Sequence, residues 1–266
     1  MIKLIASDMD GTLLPEGTPD INPEIFEVIL KLKKKGVIFA AASGRQYGSM
    51  VNVFSPIQDD IIFIAENGGY VVCRGYDMYR GSFDRALLEE VVDYMRHQDV
   101  RISMVNTPEA GYTDCRDIEL IEDIRQRYHF NMIQVDDVLK QKLDVTKAAL
   151  YCKSDALEIA QAAEKQFSGR VKVMAAGDLW VDFMQEGIDK GTALAKIQQQ
   201  LNIKVEETMA FGDNYNDIGM LERAGESYAM ENAREGVKKA ARHIAARNDQ
   251  DGVLKVLKEL LKSMEE

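Results

Sequence analysis

The run Ile2–Ser7 is almost wholly apolar and ends on Asp8-Met9-Asp10-Gly11-Thr12. It reads as a short buried strand with two carboxylates at its carboxyl end, followed by a glycine turn. Strand alternation points both acids the same way, so they repel unless a cation or a shared proton lies between them. The pattern suits a nucleophilic carboxylate, a second acid and a bound Mg²⁺. A strand followed by an acidic, helix-capping turn is the competing reading, and later segments bear on the choice.

The 266 residues leave room for one large or two modest domains, and 46% hydrophobic with 29% charged residues is the composition of a globular protein with a core. A net charge of −11 argues against a nucleic-acid surface, although a local cation can still admit an anionic ligand. Cys73, Cys115 and Cys152 are odd in number and scattered, as in a reducing cytoplasm. His97, His129 and His243 lack metal-ligand spacing and read as surface or packing residues. No apolar run reaches membrane-spanning length and no signal peptide is recognisable, so a cytoplasmic protein without a membrane partner is expected.

Strands and helices alternate through the first part. After the Ile2–Ser7 strand and a Pro/Gly loop through Pro15–Pro19, a helix is expected from Pro23 to Lys35, with Asn22 as cap and Gly36 as stop. Strands follow at Val37–Ala42 and Ile61–Ala65, with a short helix from Tyr47 between them. This order implies an open α/β sheet of parallel strands with helices on both faces, whose ligands bind beyond the strands' carboxyl ends. From about Phe83 the texture changes to acidic helices (85–98, 117–128, 154–167) among strands at 102–106, 148–152, 171–175 and 180–184. After Gly187 the first texture returns, with a helix Lys190–Leu201, a strand Thr208–Gly212 and a helix from Ile218. The expectation is a discontinuous core, 1–82 and 187–266, carrying an inserted α/β domain at 83–186.

Three more segments stand at strand ends or helix starts. Ser43-Gly44-Arg45 lets a phosphate oxygen approach a hydroxyl and free backbone N–H groups, or is a plain turn. Asp189-Lys190-Gly191 opens a helix, where a cation is unfavourable unless an anion such as phosphate or Asp8 lies opposite. Gly212-Asp213-Asn214-Tyr215-Asn216-Asp217 concentrates oxygen ligands suited to Mg²⁺, or forms an Asx turn capping the next helix.

In this order Asp8-x-Asp10-Gly11-Thr12, Ser43-Gly44-Arg45, Lys190-Gly191 and Gly212-Asp213-x-x-Asn216-Asp217 resemble the four motifs of the haloacid dehalogenase superfamily. Glu66-Asn67-Gly68, Met230 onward and Asp251-Gly252-Val253 resemble its Cof-type phosphatases. The resemblance implies a Rossmann-like three-layer core with an α/β cap. It implies Asp8 as nucleophile, Asp10 as acid and base, and Lys190 as their catalytic cation. Ser43, Gly44, Lys190 and Asn216 would bind phosphate, and Arg45 and Asn67 would face substrate. Mg²⁺ would be held by Asp8, Asp10 through its carbonyl, and Asp213, with Asn216 and Asp217 around it. One departure is Met230-Glu231-Asn232-Ala233, where relatives usually carry Met-Gly-Asn-Ala.

The function implied is a Mg²⁺-dependent phosphatase of a small phosphorylated metabolite, a sugar phosphate or phosphorylated cofactor, acting as a monomer or small homo-oligomer. A phosphomutase of the same fold, or a phospho-accepting module without turnover, is the alternative. Specificity is expected from the inserted domain. There the loop residues Asn106, Thr107 and Arg116 are candidates for setting it, with ordinary exposed loop polarity as the competing and plainer reading, and Lys238–Arg247 reads as a solvated helix face.

Overall fold

A computed structural model describes residues 1–15, 21–128, 131–154, 156–176 and 179–264. Most of the Pro15–Pro19 loop and His129 lie outside the described residues. The strands are β1 Leu4–Asp8, β2 Ile38–Ala42, β3 Ile62–Ala65, β4 Tyr70–Cys73, β5 Tyr76–Arg80, β6 Val100–Asn106, β7 Gly111–Thr113, β8 Met132–Gln134, β9 Lys147–Cys152, β10 Val171–Ala176, β11 Trp180–Gln185, β12 Thr208–Gly212, β13 Glu226–Met230 and β14 His243–Ala245. The α-helices are α1 Glu24–Lys34, α2 Tyr47–Val53, α3 Arg85–Arg96, α4 Ile118–Tyr128, α5 Ala156–Phe167, α6 Lys190–Leu201, α7 Ile218–Glu222, α8 Glu235–Ala240 and α9 Gly252–Ser263. No helix among the described residues is long and apolar enough to cross a membrane.

The chain divides into two compact units, Met1–Arg45 with Met50–Tyr79 and Asp189–Glu266, and Gln46–Ser49 with Arg80–Ile188. Unit 1 holds an eight-stranded sheet in the order β14-β13-β12-β1-β2-β3-β4-β5. The six strands from β14 to β3 run parallel. Their centre reads as unbroken apolar runs because helices cover both faces, and β1 and β12 are buried at every residue. Strand β4 runs antiparallel to β3.

Helix α1 shows why the surrounding elements form. Ile25, Val28, Ile29 and Leu32 make one buried stripe, with Glu24 and Glu27 in the first turn and basic residues in the last. Asn22 accepts the Glu24 amide, and Gly36 ends the turn at φ 84°.

Unit 2 holds a six-stranded sheet, β10-β11-β9-β6-β7-β8, antiparallel except for β7 beside β8. One face packs Val105, Leu150 and Phe183 against Leu88, Val91 and Met95 of α3 and Ala160 and Phe167 of α5. The other sets Ile102, Met104, Ala149 and Tyr151 against Ile121 and Ile124 of α4.

Three expectations are corrected. Segment Lys238–Arg247 is no continuous helix face, since α8 stops at Ala240, Ala241 is extended, and His243–Ala245 pairs with β13 as an edge strand. The first strand starts two residues later than the expected Ile2 and ends one residue later than Ser7, running from Leu4 to Asp8, so Asp10 lies beyond the ladder. Asn106 and Thr107 are buried, at 1% and 4% exposure, whereas Arg116 is an exposed partner of Asp136.

Candidate active site

The adjacent parallel strands β12, β1, β2 and β3 release their carboxyl-terminal loops at one edge of the unit 1 sheet. Asp8 ends β1, Ser43 follows β2, Glu66–Gly68 follows β3 and Asp213 follows β12. The chain leaves β1 toward β2 on one side and returns as β12 on the other, so Asp8 sits at the switch point where ligands bind in such sheets.

Lys190, the first residue of α6, is fully buried and spans two acids. Its Nζ donates to Asp8 Oδ1 at 2.5 Å and to Asp217 Oδ1 at 2.7 Å. The cation that is unfavourable at a helix start therefore has two anions opposite it. Asp189 caps the helix, accepting the Thr192 amide at 2.7 Å. The Glu66–Gly68 turn comes up against this start; a Cβ on Gly68, at φ 100°, would lie 2.3 Å from the Asp189 carbonyl oxygen.

Asp217 is saturated. Its Oδ2 accepts the Asp213 and Asn214 amides, both at 3.0 Å, while Oδ1 holds Lys190. The two readings of this segment thus coexist: Asn214 and Asp217 cap a short 3₁₀ turn over Tyr215–Asp217, and the same turn presents Asp213. The Thr12 hydroxyl donates to Asp213 Oδ1 at 3.0 Å, whereas Asp8 Oδ2 is buried without a hydrogen-bond partner among the described residues. One ligand atom each from Asp8, Asp213 and Asp217 lie within 4.8 Å of one another.

Burial raises the Asp8 carboxyl well above the usual carboxylate range, with Asp217 adding to the rise and Lys190 opposing it. Burial, again helped by Asp217, lifts Asp213 to about 6 against the pull of Thr12 and Lys190. For Lys190, burial disfavours the charge, but Asp217 and Asp8 more than offset it and hold the ammonium above its ordinary value. This is a crowd of acids around one cation, with Asp8 Oδ2 buried and left over.

Asp10 is separate from that crowd. Arg45 forks onto it, Nε to Oδ2 at 2.8 Å and a terminal nitrogen to Oδ1 at 2.5 Å. Ser43 Oγ reaches Asp10 Oδ2 at 3.5 Å and accepts the Arg45 amide at 3.1 Å. The two acids of the opening pair therefore do not share a cation; each has its own. Asn216 donates to Asn67 Oδ1 at 3.0 Å, and Gly44 lies against the same amide, where a Cβ would be 3.1 Å from Nδ2.

Sequence reasoning assigned no role to Thr12, Asn232 or Asn248. Asn232 donates to the Gly11 carbonyl at 2.8 Å and accepts the Asn248 amide, and Asn248 donates to the Leu14 carbonyl at 3.1 Å. Together they pin the turn after Asp10. Thr12 and Asn232 lie inside recognised motifs; Asn248 sits in a charged stretch with no signal. Glu231, in place of the usual glycine, is exposed and is not among the residues with positive φ, so a side chain fits there.

Gly11 takes φ 84°, and a Cβ there would lie 2.4 Å from Asp213 Oδ2. Gly11→Ala is expected to destabilise by about 2–4 kcal/mol, from the backbone conformation and overpacking together. Gly36→Ala, at the same φ but with nothing within 4 Å, should cost only about 1–2 kcal/mol. Paired thermal melts check the difference, and equal losses would refute the claim of crowding against Asp213.

A family model for haloacid dehalogenase-like hydrolases matches residues 5–257. The Escherichia coli (strain K12) 5-amino-6-(5-phospho-D-ribitylamino)uracil phosphatase YbjI is 31% identical over 262 residues, 98% of this chain and 97% of that one. An HMP-PP phosphatase of Yersinia pseudotuberculosis is 28% identical over 271 residues, 99% and 97% of the two chains. A solved structure from Eubacterium rectale shares 33% identity at a TM-score of 0.89, over 97% of this chain and 99% of that one. The chain belongs to the haloacid dehalogenase-like hydrolases, in their Cof-type branch, and is a phosphatase of phosphate monoesters.

Proposed function

We propose that the protein is a cytoplasmic, Mg²⁺-dependent phosphatase of small phosphorylated metabolites, sugar phosphates or phosphorylated cofactors, working through an aspartyl-phosphate on Asp8. The observation that carries this reading is the buried Lys190 ammonium between Asp8 and Asp217, with Asp8 Oδ2 left without a donor among the described residues. The two similar phosphatases named above have a ribitylamino-uracil phosphate and HMP-PP in their names.

The residues fit a hard divalent cation. Three carboxylates converge, their oxygens are the ligand type Mg²⁺ takes, and an orphaned oxygen costs energy to bury unless something claims it. Asp8, Asp213 and the Asp10 carbonyl would hold the ion. Asp217, its oxygens already taken by Lys190 and two amides, would orient that set together with Asn216. When bound, Mg²⁺ supplies positive charge against the phosphoryl oxygens.

In the proposed chemistry, Lys190 fixes one oxygen of Asp8, which orients the carboxylate for in-line attack on phosphorus. Asp10 gives a proton to the leaving oxygen and later takes one from the attacking water. Both Asp10 oxygens are under Arg45, so the guanidinium has to release one before that proton can be carried. Ser43, the Gly44 backbone and Lys190 receive the phosphoryl oxygens, which gives Arg45 an alternative anion to bind.

A panel of phosphorylated metabolites, assayed for phosphate release with and without Mg²⁺, tests the reading. Release without an acceptor, lost on chelation and restored by Mg²⁺, is expected. Transfer to a second hydroxyl without free phosphate would replace hydrolysis by a mutase reaction.

A further inference from the structure

The turn after β3 holds a costly backbone. Glu66, Asn67 and Gly68 take φ of 52°, 54° and 100° in succession, the only run of three positive values among the described residues. Glutamate rarely accepts this conformation, and such a run persists only where its surroundings hold it. Here the surroundings are the other turns of unit 1. The Glu66 amide donates to the Arg45 carbonyl at 3.0 Å, and the Asn67 amide donates to the Ser43 carbonyl at 2.9 Å. Gly68 lies so close to the Asp189 carbonyl that a side chain has no room there.

The side chain this turn delivers is that of Asn67, which is 4% exposed. Its Oδ1 accepts the Asn216 side-chain amide at 3.0 Å, and Gly44 packs against the same group. In the sheet, β1 and β2 separate β3 from β12, so this bond joins loops whose strands are not neighbours. It also completes a circuit of contacts around Asp8. Lys190 ties Asp8 to Asp217, Asn216 precedes Asp217 in the chain, Asn67 ties Asn216 to Ser43, and Ser43 Oγ reaches Asp10. An amide so enclosed has little surface to offer a ligand.

We propose that Asn67 is a positioning residue: through Asn216 it holds the Asp213–Asp217 turn at a fixed distance from Ser43–Gly44, and it is not itself a substrate contact. The assignment rests on the phosphatase reading above. In-line attack needs the carboxylate, the phosphorus and the groups that receive the phosphoryl oxygens aligned together. Ser43 and Gly44 receive those oxygens from one turn, while Asn216 orients the acids of another. A slip of one turn against the other misaligns the attack yet removes no group that binds phosphate. The loss then falls on kcat rather than on KM.

The test compares four full-length proteins, supplied with Mg²⁺ and p-nitrophenyl phosphate: wild type, Asn67→Gly, Asn216→Ala and the double variant. Glycine keeps the left-handed backbone and the amide bond to Ser43, and deletes only the side chain. Asn67→Gly should lower kcat by about 10–100-fold, with KM within about threefold of wild type. In the Asn216→Ala background the same substitution should cost less than about threefold, because its partner is already gone. Asn67→Asp tolerates the same backbone and still offers Oδ1 to Asn216, so it should keep kcat within about threefold of wild type; it carries the test if Asn67→Gly does not fold. Four results overturn the assignment and leave the phosphatase reading standing: a full loss repeated in Asn216→Ala, a raised KM at constant kcat, wild-type turnover by Asn67→Gly, or a collapse of kcat in Asn67→Asp. A wild type that releases phosphate from neither this ester nor ribose or glucose phosphates overturns that reading instead.

Discussion

Asp8→Asn should lower phosphate release by about 10⁴-fold or more while the protein folds normally. The amide keeps the shape of the carboxylate but offers phosphorus no anionic oxygen. Its effect on stability should run the other way. In the wild type this buried acid faces Asp213 and Asp217, one of its oxygens has no donor among the described residues, and burial holds its carboxyl well above the usual range. A group whose folded pKa is raised contributes stability below its unfolded pKa and loses it as pH rises through the folded value. At neutral pH and without metal, Asp8 is therefore a net burden to the fold. Chelated Asp8→Asn should melt above chelated wild type by several degrees, and the gap should close as pH falls toward about 4. Melting curves across that pH range check this; a lower melting point for Asp8→Asn at neutral pH would contradict it.

Lys190→Met should be the most damaging single change to stability, and it should cost activity as well. Removing the cation leaves Asp8 and Asp217 buried side by side without compensation, a loss of about 3–5 kcal/mol. It also removes a charge aimed at the reacting group, worth on the order of 10²-fold or more in rate. The diagnostic result is the double variant Asp8→Asn/Lys190→Met. It deletes one of the two stranded carboxylates, so Asp8→Asn should stabilise the Lys190→Met protein by more than it stabilises the wild type. Denaturant melts of the four proteins measure that coupling. Simple additivity would mean that Lys190 is not the element holding these acids together.

How much could be read in advance depends on whether the determining contacts are local. Helix α6 runs over Lys190–Leu201 as expected, because Asp189 caps it and Asn202 closes it with a left-handed backbone. Strand β12 likewise falls on Thr208–Gly212, an apolar run stopped by its acidic turn. The β4–β5 hairpin was missed. Its turn is Arg74-Gly75, with φ 51° and 75°, and an arginine gives little warning of a left-handed conformation. Strands β13 and β14 lie among polar residues and exist because neighbours in the parallel sheet pair with them, a non-local cause.

The site shows the same division. The acid pair, Ser43, Lys190 and the Asp213–Asp217 segment were each visible as an unusual residue at a strand end or helix start. Their pairing was not, since Lys190 meets Asp8 across 182 residues of chain and Arg45 meets Asp10 across 35. Asn106 read as loop polarity because its burial comes from its place beside Lys147 and Gly111 in the sheet.

The most direct test of the account traps the enzyme during turnover. Wild-type protein mixed with excess substrate and Mg²⁺ is quenched in acid, treated with borohydride, digested and sequenced by mass spectrometry. Borohydride reduces an acyl phosphate to the alcohol, so homoserine should be found at position 8, only when substrate was present, and never in Asp8→Asn. Phosphate release that proceeds at the wild-type rate with residue 8 recovered as unmodified aspartate, or with the modification at another acid, would contradict it.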